Sequence, residues 1–440
     1  MPKRFGTFLD GTKPLSVSRT NLISGSALDA DAANELAVKA LMASDPVLID
    51  VRPAAEVIPG MSKTTILTSG PPLSWEEYTG GQRRAILGGV IYEGLAVDLE
   101  SAAEAIARGD VKVAGCHDYS CVGSLAGVTT ASMPVLVVED RNSGHQGFCT
   151  LFEGETPSRL NYGVWNDAVA ENLNRLANDI GPSLSAVLRS VDGGIRLLPI
   201  MQRAVNQGDE LHSRNTAASL LFLREILPAL LALESSRAQT LVSYLTSGDY
   251  FFLRPAMAAA KVMADRMVGI DGSSIVTAMA FSCKEFGIRV AGLGDQWFKG
   301  PLPTMEDFQL FTGHTRSDIE VMGGESIITE VCGLGGFAQA AAFTLQNYQG
   351  GPEKMVARTR EMYRITAAES DHFKIPFLSF RGTPTGIDVH RVVETGIAPV
   401  MDVGIAGRAG GQIGAGSFRA HLKAFIDAQE ALLDQVVRTA

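Results

Sequence analysis

The chain has 440 residues, a formal net charge of −10 at pH 7 and a sequence pI of about 5.3. An acidic chain without a long run of Lys or Arg binds nucleic acid and anionic membranes poorly, so we expect neither kind of partner. Hydrophobic residues make up 46% of the chain and charged residues 20%, which is typical of a globular protein with a large core, and the length indicates two or three domains.

The cysteines are odd in number and lack the paired spacing of metal ligands. They are Cys116, Cys121, Cys149, Cys283 and Cys332. We expect reduced thiols, no metal site and no cofactor. The N-terminal segment shows no apolar run of signal-peptide type, and charged residues interrupt the most hydrophobic stretch, 218–233. The sequence therefore predicts a cytoplasmic protein without a membrane span.

Residues 1–29 carry little periodic signal, and we predict that they form an N-terminal arm. From residue 30 to residue 162, short apolar runs alternate with helical patterns. The predicted strands are 46–51, 64–68, 111–114, 134–138 and 148–152, and the predicted helices are 30–43, 75–92 and 99–108. This alternation predicts an α/β domain with a mostly parallel sheet, in which ligands bind beyond the carboxyl ends of the strands. We expect a functional site in this domain.

The pattern changes at residue 163. Leu, Ile and Ala recur at three- and four-residue spacing up to residue 269, which predicts a helical domain. Residues 270–440 mix both signals and predict a C-terminal mixed α/β domain. Its predicted elements are strands at 287–292 and 375–380 and helices at 326–348 and 420–437. The chain as a whole is assigned to the α/β class.

The first polar motif, Cys116-His117-Asp118, directly follows a predicted strand. A thiol next to an imidazole can form a thiolate–imidazolium pair, which is a nucleophile. Adjacent residues of a strand point to opposite faces, so we favour His117 as an acid–base group, with Asp118 tuning its pKa. Cys116 stays a candidate nucleophile if the chain turns between the two residues. The structural alternative is a buried thiol and a histidine that caps the loop.

The second motif, Gly208–Asn215, holds two carboxylates, an imidazole, a guanidinium and an amide within eight positions. On a helix, Glu210 and Arg214 lie four residues apart and can pair. In the functional interpretation, Arg214 holds a substrate carboxylate or phosphate and Glu210 tunes the acid–base group. His212 and Asn215 are further candidate substrate contacts. The structural alternative is a salt-bridged helix start.

Residues 402–416 have glycine at six of fifteen positions, together with Arg408. Glycines let backbone N–H groups approach an anion closely, so this segment indicates either a phosphate or carboxylate contact or a tight structural crossing. Asp295 and Arg381 follow predicted strands and are also candidate substrate contacts. No GxxxxGK[ST], GxSxG, HExxH or EF-hand pattern occurs, so common phosphate-loop proteins, serine hydrolases and zinc enzymes lose their main sequence support.

Several segments, in this order, resemble the AllG (YlbE-like) family, a subunit of bacterial oxamate carbamoyltransferase. They are 47–61, 66–75, 92–96, 116–134, 208–215, 287–298, 325–338, 380–388 and 404–416. The resemblance implies phosphorolysis of oxalurate to oxamate and carbamoyl phosphate, within purine and allantoin catabolism. It also implies a hetero-oligomer with an FdrA-type subunit and a third subunit.

Three hypotheses follow. In the first, the chain is a carbamoyltransferase subunit that binds a small anionic ureido acid and phosphate through Arg214, Arg381 and Arg408, with His117 as the acid–base group. In the second, it is a non-catalytic structural or regulatory subunit of such a complex. In the third, it is a stand-alone amide hydrolase with Cys116 as the nucleophile.

Overall fold

The structure, a computed structural model, describes residues 30–439, so the predicted arm at 1–29 lies outside the described residues. Its helices are α1 (Ala30–Met42), α2 (Ala54–Val57), α3 (Gly80–Tyr92), α4 (Leu99–Ala107), α5 (Asp167–Arg175), α6 (Gly181–Ser190), α7 (Leu197–Asn206), α8 (Thr216–Leu231), α9 (Ser235–Leu245), α10 (Leu253–Asp265), α11 (Ile328–Val331), α12 (Pro352–Met362), α13 (Val389–Thr395) and α14 (Lys423–Thr439). The predicted α/β class is confirmed, and so is the helical character of the central region, which holds α5 to α10.

The strands form several mixed sheets. They are β1 (Pro46–Pro53), β2 (Thr65–Thr68), β3 (Lys112–Gly115), β4 (Cys121–Val122), β5 (Val128–Thr129), β6 (Pro134–Asp140), β7 (Gln146–Thr150), β8 (Ile195–Arg196), β9 (Val276–Phe281), β10 (Phe286–Val290), β11 (Phe298–Gly300), β12 (Thr304–Leu310), β13 (Ile319–Glu320), β14 (Thr366–Ile375), β15 (Arg381–Ile387), β16 (Val400–Gly407) and β17 (Gln412–Arg419). The sheet orders are β4-β7-β6-β1-β8, β3-β2-β5, β11-β10-β9, β12-β17-β16-β13 and β14-β15.

The sequence predicted a mostly parallel sheet for residues 30–162, and this prediction is wrong. Of the pairings between these strands, β2–β3 and β4–β7 are parallel, whereas β1–β6, β2–β5 and β6–β7 are antiparallel. The turn between β6 and β7 is too short for a parallel crossover. Both faces of β6 are buried, because Leu136 and Val138 belong to the main core cluster and Val135 and Val137 to a smaller one. A doubly covered antiparallel strand therefore carries the continuous apolar run that is typical of parallel sheets.

Two predicted elements of the C-terminal region are wrong. Instead of a helix at 326–348, the chain forms the single turn α11 and then short 3₁₀ turns. Gly333 and Gly335 adopt φ of +82° and +53°, a conformation that ends an α-helix and that L side chains rarely adopt. The strand predicted at 375–380 falls mostly on a 3₁₀ turn at Pro376–Leu378, after which Ser379 and Phe380 also have positive φ.

Helix α10 lies in the middle of the molecule and positions the site. It packs against β6, β7 and α11, and every residue from Arg254 to Ala264 is buried. The main core cluster contains residues from all three segments that the sequence divides into domains, and the boundaries of those domains stay predictions. Within residues 30–439, no helix combines the length and apolar character needed to cross a bilayer.

Candidate active site

A small cavity lies between the loops that precede α10, α8 and α11. Its volume is about 40 Å³, which is space on the order of three water positions. The polar side chains on its wall include Arg159, Tyr162, His212, Tyr250, Arg254 and Ser326. They come from segments far apart in the chain, and several of them are nearly fully buried.

A serine, a histidine and a glutamate form one hydrogen-bonded chain at this wall. His212 Nε2 lies 2.8 Å from Ser326 Oγ, and His212 Nδ1 lies 2.9 Å from Glu330 Oε1. A carboxylate can only accept, so Nδ1 carries a proton, and in the neutral form of His212 the other ring nitrogen, Nε2, accepts a hydrogen bond from the Ser326 hydroxyl. Glu330 is fixed in turn by the Thr329 hydroxyl at 2.9 Å and by backbone N–H groups of Gly336 and Asp402. This is the arrangement in which a histidine serves as a general base for a hydroxyl group.

The surroundings of His212 raise its pKa above the ordinary value. Burial, the largest single influence, lowers this pKa, but the carboxyl groups of Glu330, Glu210 and Asp402 together outweigh it. Burial also raises the pKa of Glu210 to about 7, and burial with its two acidic neighbours raises that of Asp402 well above the usual range. The imidazole therefore sits in an acidic environment that favours its protonated form.

The loop before α8 holds His212 in place. Glu210 accepts hydrogen bonds from the backbone N–H groups of Ser213 at 2.5 Å and Arg214 at 2.9 Å, and its own carbonyl accepts from Gly335 at 2.7 Å. Asn215 donates from its side chain to the His212 carbonyl at 2.9 Å. The residue between Glu210 and His212, Leu211, has φ of +65°, a conformation that costs a non-glycine residue on the order of 1–3 kcal/mol. Such strain is typical of a loop whose side chains must point in fixed directions.

Two buried arginines face the same cavity. Arg254 is 4% exposed and Arg159 is 8% exposed, and neither forms an ion pair with a carboxylate of residues 30–439. Arg254 has only long contacts, at 3.4 Å to Thr150 Oγ1 and 4.0 Å to Cys149 Sγ. Arg159 lies over the Tyr162 ring at 4.2 Å, and its Nε has no hydrogen-bond partner in the described chain. Burial raises the pKa of the neighbouring Glu153, and the charges of Arg254 and Arg159 lower it, so a buried carboxylate lies near both arginines without forming an ion pair with either. Glu153 accepts instead from the backbone N–H groups of Leu160 and Asn161, which leaves guanidinium donors for an anionic ligand.

The remaining wall is aromatic and amide-rich. Tyr162 donates its hydroxyl to Gln412 Oε1 at 3.1 Å, and burial raises the pKa of both Tyr162 and Tyr250, so both phenols stay protonated. Gln412 and Gly404, which also line the cavity, belong to the glycine-rich segment 402–416. That segment therefore reaches the cavity through Gln412 rather than through Arg408, which is exposed and donates its Nε to the Ser317 carbonyl at 3.0 Å.

His117 lies in a separate buried cluster. Its ring has no hydrogen-bond partner in the described chain, and the nearest carboxylate oxygen, Glu325 Oε1, is 4.0 Å from Nε2. Burial, with the nearby Lys261 and Arg289 charges, lowers the pKa of His117 well below its ordinary value. Glu325 accepts from the backbone N–H groups of Gly70 and Gly123 and is followed directly by Ser326. The His117 cluster therefore does not line the cavity. It is connected to the cavity wall by the peptide bond between Glu325 and Ser326.

The other residues of the first motif point elsewhere. Asp118 is exposed and pairs with Arg289, which also lies 3.4 Å from the exposed Asp295. Cys116 is fully buried, and burial raises its thiol pKa well above the ordinary value, the reverse of an activated nucleophile. No group of three or more His, Cys, Asp or Glu side chains within the described range is placed to hold a metal ion.

The remaining predicted arginines already have protein partners. Arg214 pairs with Asp209 at the start of α8, and Arg381 forms an exposed pair with Glu369 at 2.6 Å, on the surface of the β14–β15 hairpin. A larger groove of about 340 Å³, beside β1, is lined by Arg52 and Arg189. Both of these arginines also pair with carboxylates, so this groove offers no free cation for an anionic ligand.

Of the predicted site residues, only His212 lines the cavity, and Glu210 and Asn215 hold its loop through backbone hydrogen bonds. The others lie outside the cavity wall: His117, Cys116, Asp118, Arg214, Asp295, Arg381 and Arg408. The sequence interpretation missed Ser326, Glu330, Arg159 and Arg254. For Arg254 a signal was present, because it is a charged residue at the start of a very apolar helical segment. No comparable local pattern marks Arg159.

Comparison with known proteins gives the family. The family model described as oxamate carbamoyltransferase subunit AllG matches residues 111–326. The Escherichia coli (strain K12) protein named oxamate carbamoyltransferase subunit AllG is 36% identical over 411 residues, which cover 92% of this chain and 98% of that protein. The chain belongs to the AllG family.

Other relatives agree with this membership. An uncharacterized E. coli K12 protein, YahG, is 38% identical to this AllG-family chain over 390 residues, 88% of the chain and 82% of YahG. The crystal structure of a conserved protein of unknown function from Enterococcus faecalis V583 has a TM-score of 0.89 and 36% identity, covering 92% of this chain and 98% of that one. The resemblance inferred from the ordered segments is confirmed, and the region matched by the AllG model includes Arg159, His212, Arg254 and Ser326.

Proposed function

We propose that this AllG-family chain carries the carbamoyl-transfer site of an oxamate carbamoyltransferase complex. The observation that carries the proposal is the juxtaposition, in one small cavity, of two buried arginines lacking carboxylate partners with a histidine held by a glutamate. To move a carbamoyl group between a ureido acid and phosphate, a site must bind the anionic groups of both substrates and must transfer a proton. The reaction we propose is conversion of oxalurate and phosphate to oxamate and carbamoyl phosphate.

In this proposal, Arg159 and Arg254 hold the anionic groups of the substrates. Oxalurate carries a carboxylate and the second substrate is phosphate, and guanidinium groups bind both through paired N–H donors. Each charge-assisted hydrogen bond is worth about 1.5–3 kcal/mol, or roughly a ten- to hundredfold change in affinity. The aromatic wall at Tyr162 limits the water around these charges, which strengthens the attraction.

His212 is the proposed acid–base group. When the bond between the carbamoyl carbon and the oxamate nitrogen breaks, that nitrogen must gain a proton, and His212 is the titratable side chain whose ring nitrogen faces the cavity wall at Ser326. Glu330 fixes the tautomer and orientation of the ring through Nδ1. This assignment replaces His117 with His212 in the role that the sequence hypothesis gave to His117.

The partners belong to the proposal as well. Because the E. coli relative is named a subunit of oxamate carbamoyltransferase, we propose that this chain works with an FdrA-type subunit and a third subunit, in the cytoplasm, in purine and allantoin catabolism. A purely structural subunit would have no need for buried arginines that form no ion pair with a carboxylate, because burying such charges costs free energy. The cysteine hydrolase alternative has little geometric support, since Cys116 is buried with a raised pKa.

The proposal is tested by oxalurate phosphorolysis in the complex of this chain with its co-expressed partner subunits. His212→Gln should abolish carbamoyl phosphate formation while the complex still assembles on a size-exclusion column. The matched control is His145→Gln, which alters a histidine hydrogen-bonded to Asp265 at 2.8 Å and outside the cavity wall. Turnover in the His212 variant equal to that of the control, or absence of turnover of any ureido acid by the intact complex, would refute the assignment.

A further inference from the structure

We propose that Ser326 is a covalent nucleophile that carries the carbamoyl group between the two substrates. This inference rests on the proposed function and adds an intermediate to it. Ser326 is 5% exposed and lines the cavity, and its hydroxyl is hydrogen-bonded to His212 Nε2 at 2.8 Å. No GxSxG pattern marks it in the sequence, so the geometry alone points to this role.

The main chain around Ser326 is fixed. The Ser326 carbonyl accepts a hydrogen bond from the Thr329 backbone N–H at 3.2 Å, and the Thr329 hydroxyl, 2.9 Å from both this carbonyl and the Glu330 carboxylate, has one proton to share between them. The preceding carboxyl, Glu325, is anchored by the backbone N–H groups of Gly70 and Gly123. These contacts hold the serine at the junction of two buried polar clusters. A nucleophile on such a support keeps its direction when the substrate binds.

The three side chains have the roles of a nucleophile, its base and the group that orients the base. Ser326 Oγ, His212 and Glu330 are linked by contacts of 2.8 Å and 2.9 Å, although 114 and 118 residues separate the two partners from His212 in the chain. The triad is recognised by geometry and roles rather than by sequence position. The buried Arg254 on the same wall can hold the substrate carboxylate next to the serine.

The proposed reaction has two balanced steps. Ser326 Oγ attacks the carbamoyl carbon of oxalurate, the bond from this carbon to the oxamate nitrogen breaks, and His212 passes the hydroxyl proton to that nitrogen. Oxamate leaves, and Ser326 now carries a carbamate ester. In the second step an oxygen of hydrogen phosphate attacks the same carbon, the bond to Ser326 Oγ breaks, and the phosphate proton returns through His212 to the serine. The products are carbamoyl phosphate and the free serine.

A covalent intermediate predicts exchange without phosphate. The complex of the full-length chain with its partner subunits is incubated with oxalurate and isotopically labelled oxamate, with phosphate left out, and label in oxalurate is measured. We expect exchange in the wild type and a carbamoyl mass increase on the tryptic peptide that contains Ser326. Ser326→Ala should lower the exchange rate by at least about 10³-fold, the order of loss known for catalytic serines.

A matched control separates chemistry from folding. Ser44→Ala removes another buried serine, one that has no hydrogen-bond partner among the described residues and does not line the cavity, and it should exchange like the wild type. Phosphate-dependent turnover without exchange, or undiminished exchange in Ser326→Ala, overturns the covalent role and leaves the proposed function standing. Neither turnover nor exchange in the assembled wild-type complex overturns both.

Discussion

We expect Arg254 to lower the free energy of unfolding of the chain while it binds the anionic group of the substrate, and both effects can be measured. The side chain is 4% exposed, and its contacts at 3.4 Å to Thr150 and 4.0 Å to Cys149 are too long to offset much of the cost of burying a charge. Replacing a buried ion pair by apolar side chains of similar volume is often neutral or stabilising by about 1–4 kcal/mol, and a buried charge without an ion-pair partner has the desolvation cost without the compensating attraction. Loss of the Arg254 hydrogen bonds lowers the free energy of unfolding by about 1 kcal/mol. We therefore expect Arg254→Met to raise the free energy of unfolding by up to about 3 kcal/mol.

Arg358→Met is the matched control, since Arg358 is also buried but is fully paired. It donates to Glu306 at 3.1 Å and to the Gln349 carbonyl at 2.7 Å, and it pairs with Asp307. Its removal takes one cation from two partly exposed carboxylates, which keep Arg419 and Lys354 as partners, and should lower the free energy of unfolding by about 1.5–3 kcal/mol. The contrast between the two arginines isolates the effect of having no carboxylate partner.

The assay is urea unfolding of both variants and the wild type, with and without saturating oxamate and phosphate. Ligand should stabilise the wild type and the Arg358 variant, because anything that binds only the folded state raises its stability. It should stabilise Arg254→Met far less, since about 1.5–3 kcal/mol of binding energy is lost. A destabilised Arg254→Met that still responds to ligand like the wild type would refute the reasoning and assign Arg254 a structural role.

Three further predictions concern the same site. The acid limb of kcat/KM should lie above the ordinary histidine pKa of about 6.5, because the pKa of His212 is raised and its imidazole must be neutral to act as a base. Glu330→Gln should move this limb to lower pH, and a limb that stays in place would contradict the pairing of His212 with Glu330. Arg381→Ala should change turnover little and stability by less than about 1 kcal/mol, because Arg381 sits in an exposed pair with Glu369, and a large loss of substrate affinity would instead support the sequence hypothesis. Gly335→Ala should impair both folding and turnover, because φ is +53° and the added Cβ would lie 2.3 Å from the Glu330 carboxylate; normal melting and normal kcat in this variant would contradict the geometry.

The sequence predicted the elements whose signal is local. The strand at 46–51 and the helices at 30–43 and 420–437 each have their own apolar periodicity, and the structure has β1, α1 and α14 there. Strand direction is not a local property, because a central strand buried on both faces has the same composition in a parallel and an antiparallel sheet. The prediction of a helix at 326–348 was wrong because Gly333 and Gly335 have positive φ, which ends the helix although the apolar residues have helical spacing.

The candidate site could be predicted only in part, for the same reason. The dense polar motif at 208–215 drew attention to His212, since so many hydrogen-bonding groups in one loop need partners. Its actual partners, Ser326 and Glu330, lie more than a hundred residues away in an apolar stretch, and only the fold brings them together. Arg381 and Arg408 gave equally good local signals, yet their neighbours in space already satisfy them. Whether an arginine is free for a ligand depends on the tertiary structure.

A crystal structure of the chain with oxalurate will show whether the cavity between Arg254 and Ser326 binds the ureido acid. We expect the oxalurate carboxylate within about 3 Å of the guanidinium groups of Arg254 and Arg159, and the carbamoyl carbon beside Ser326 Oγ. Oxalurate bound instead at Arg381, at Arg408 or in the His117 cluster, with none in the cavity, would contradict it.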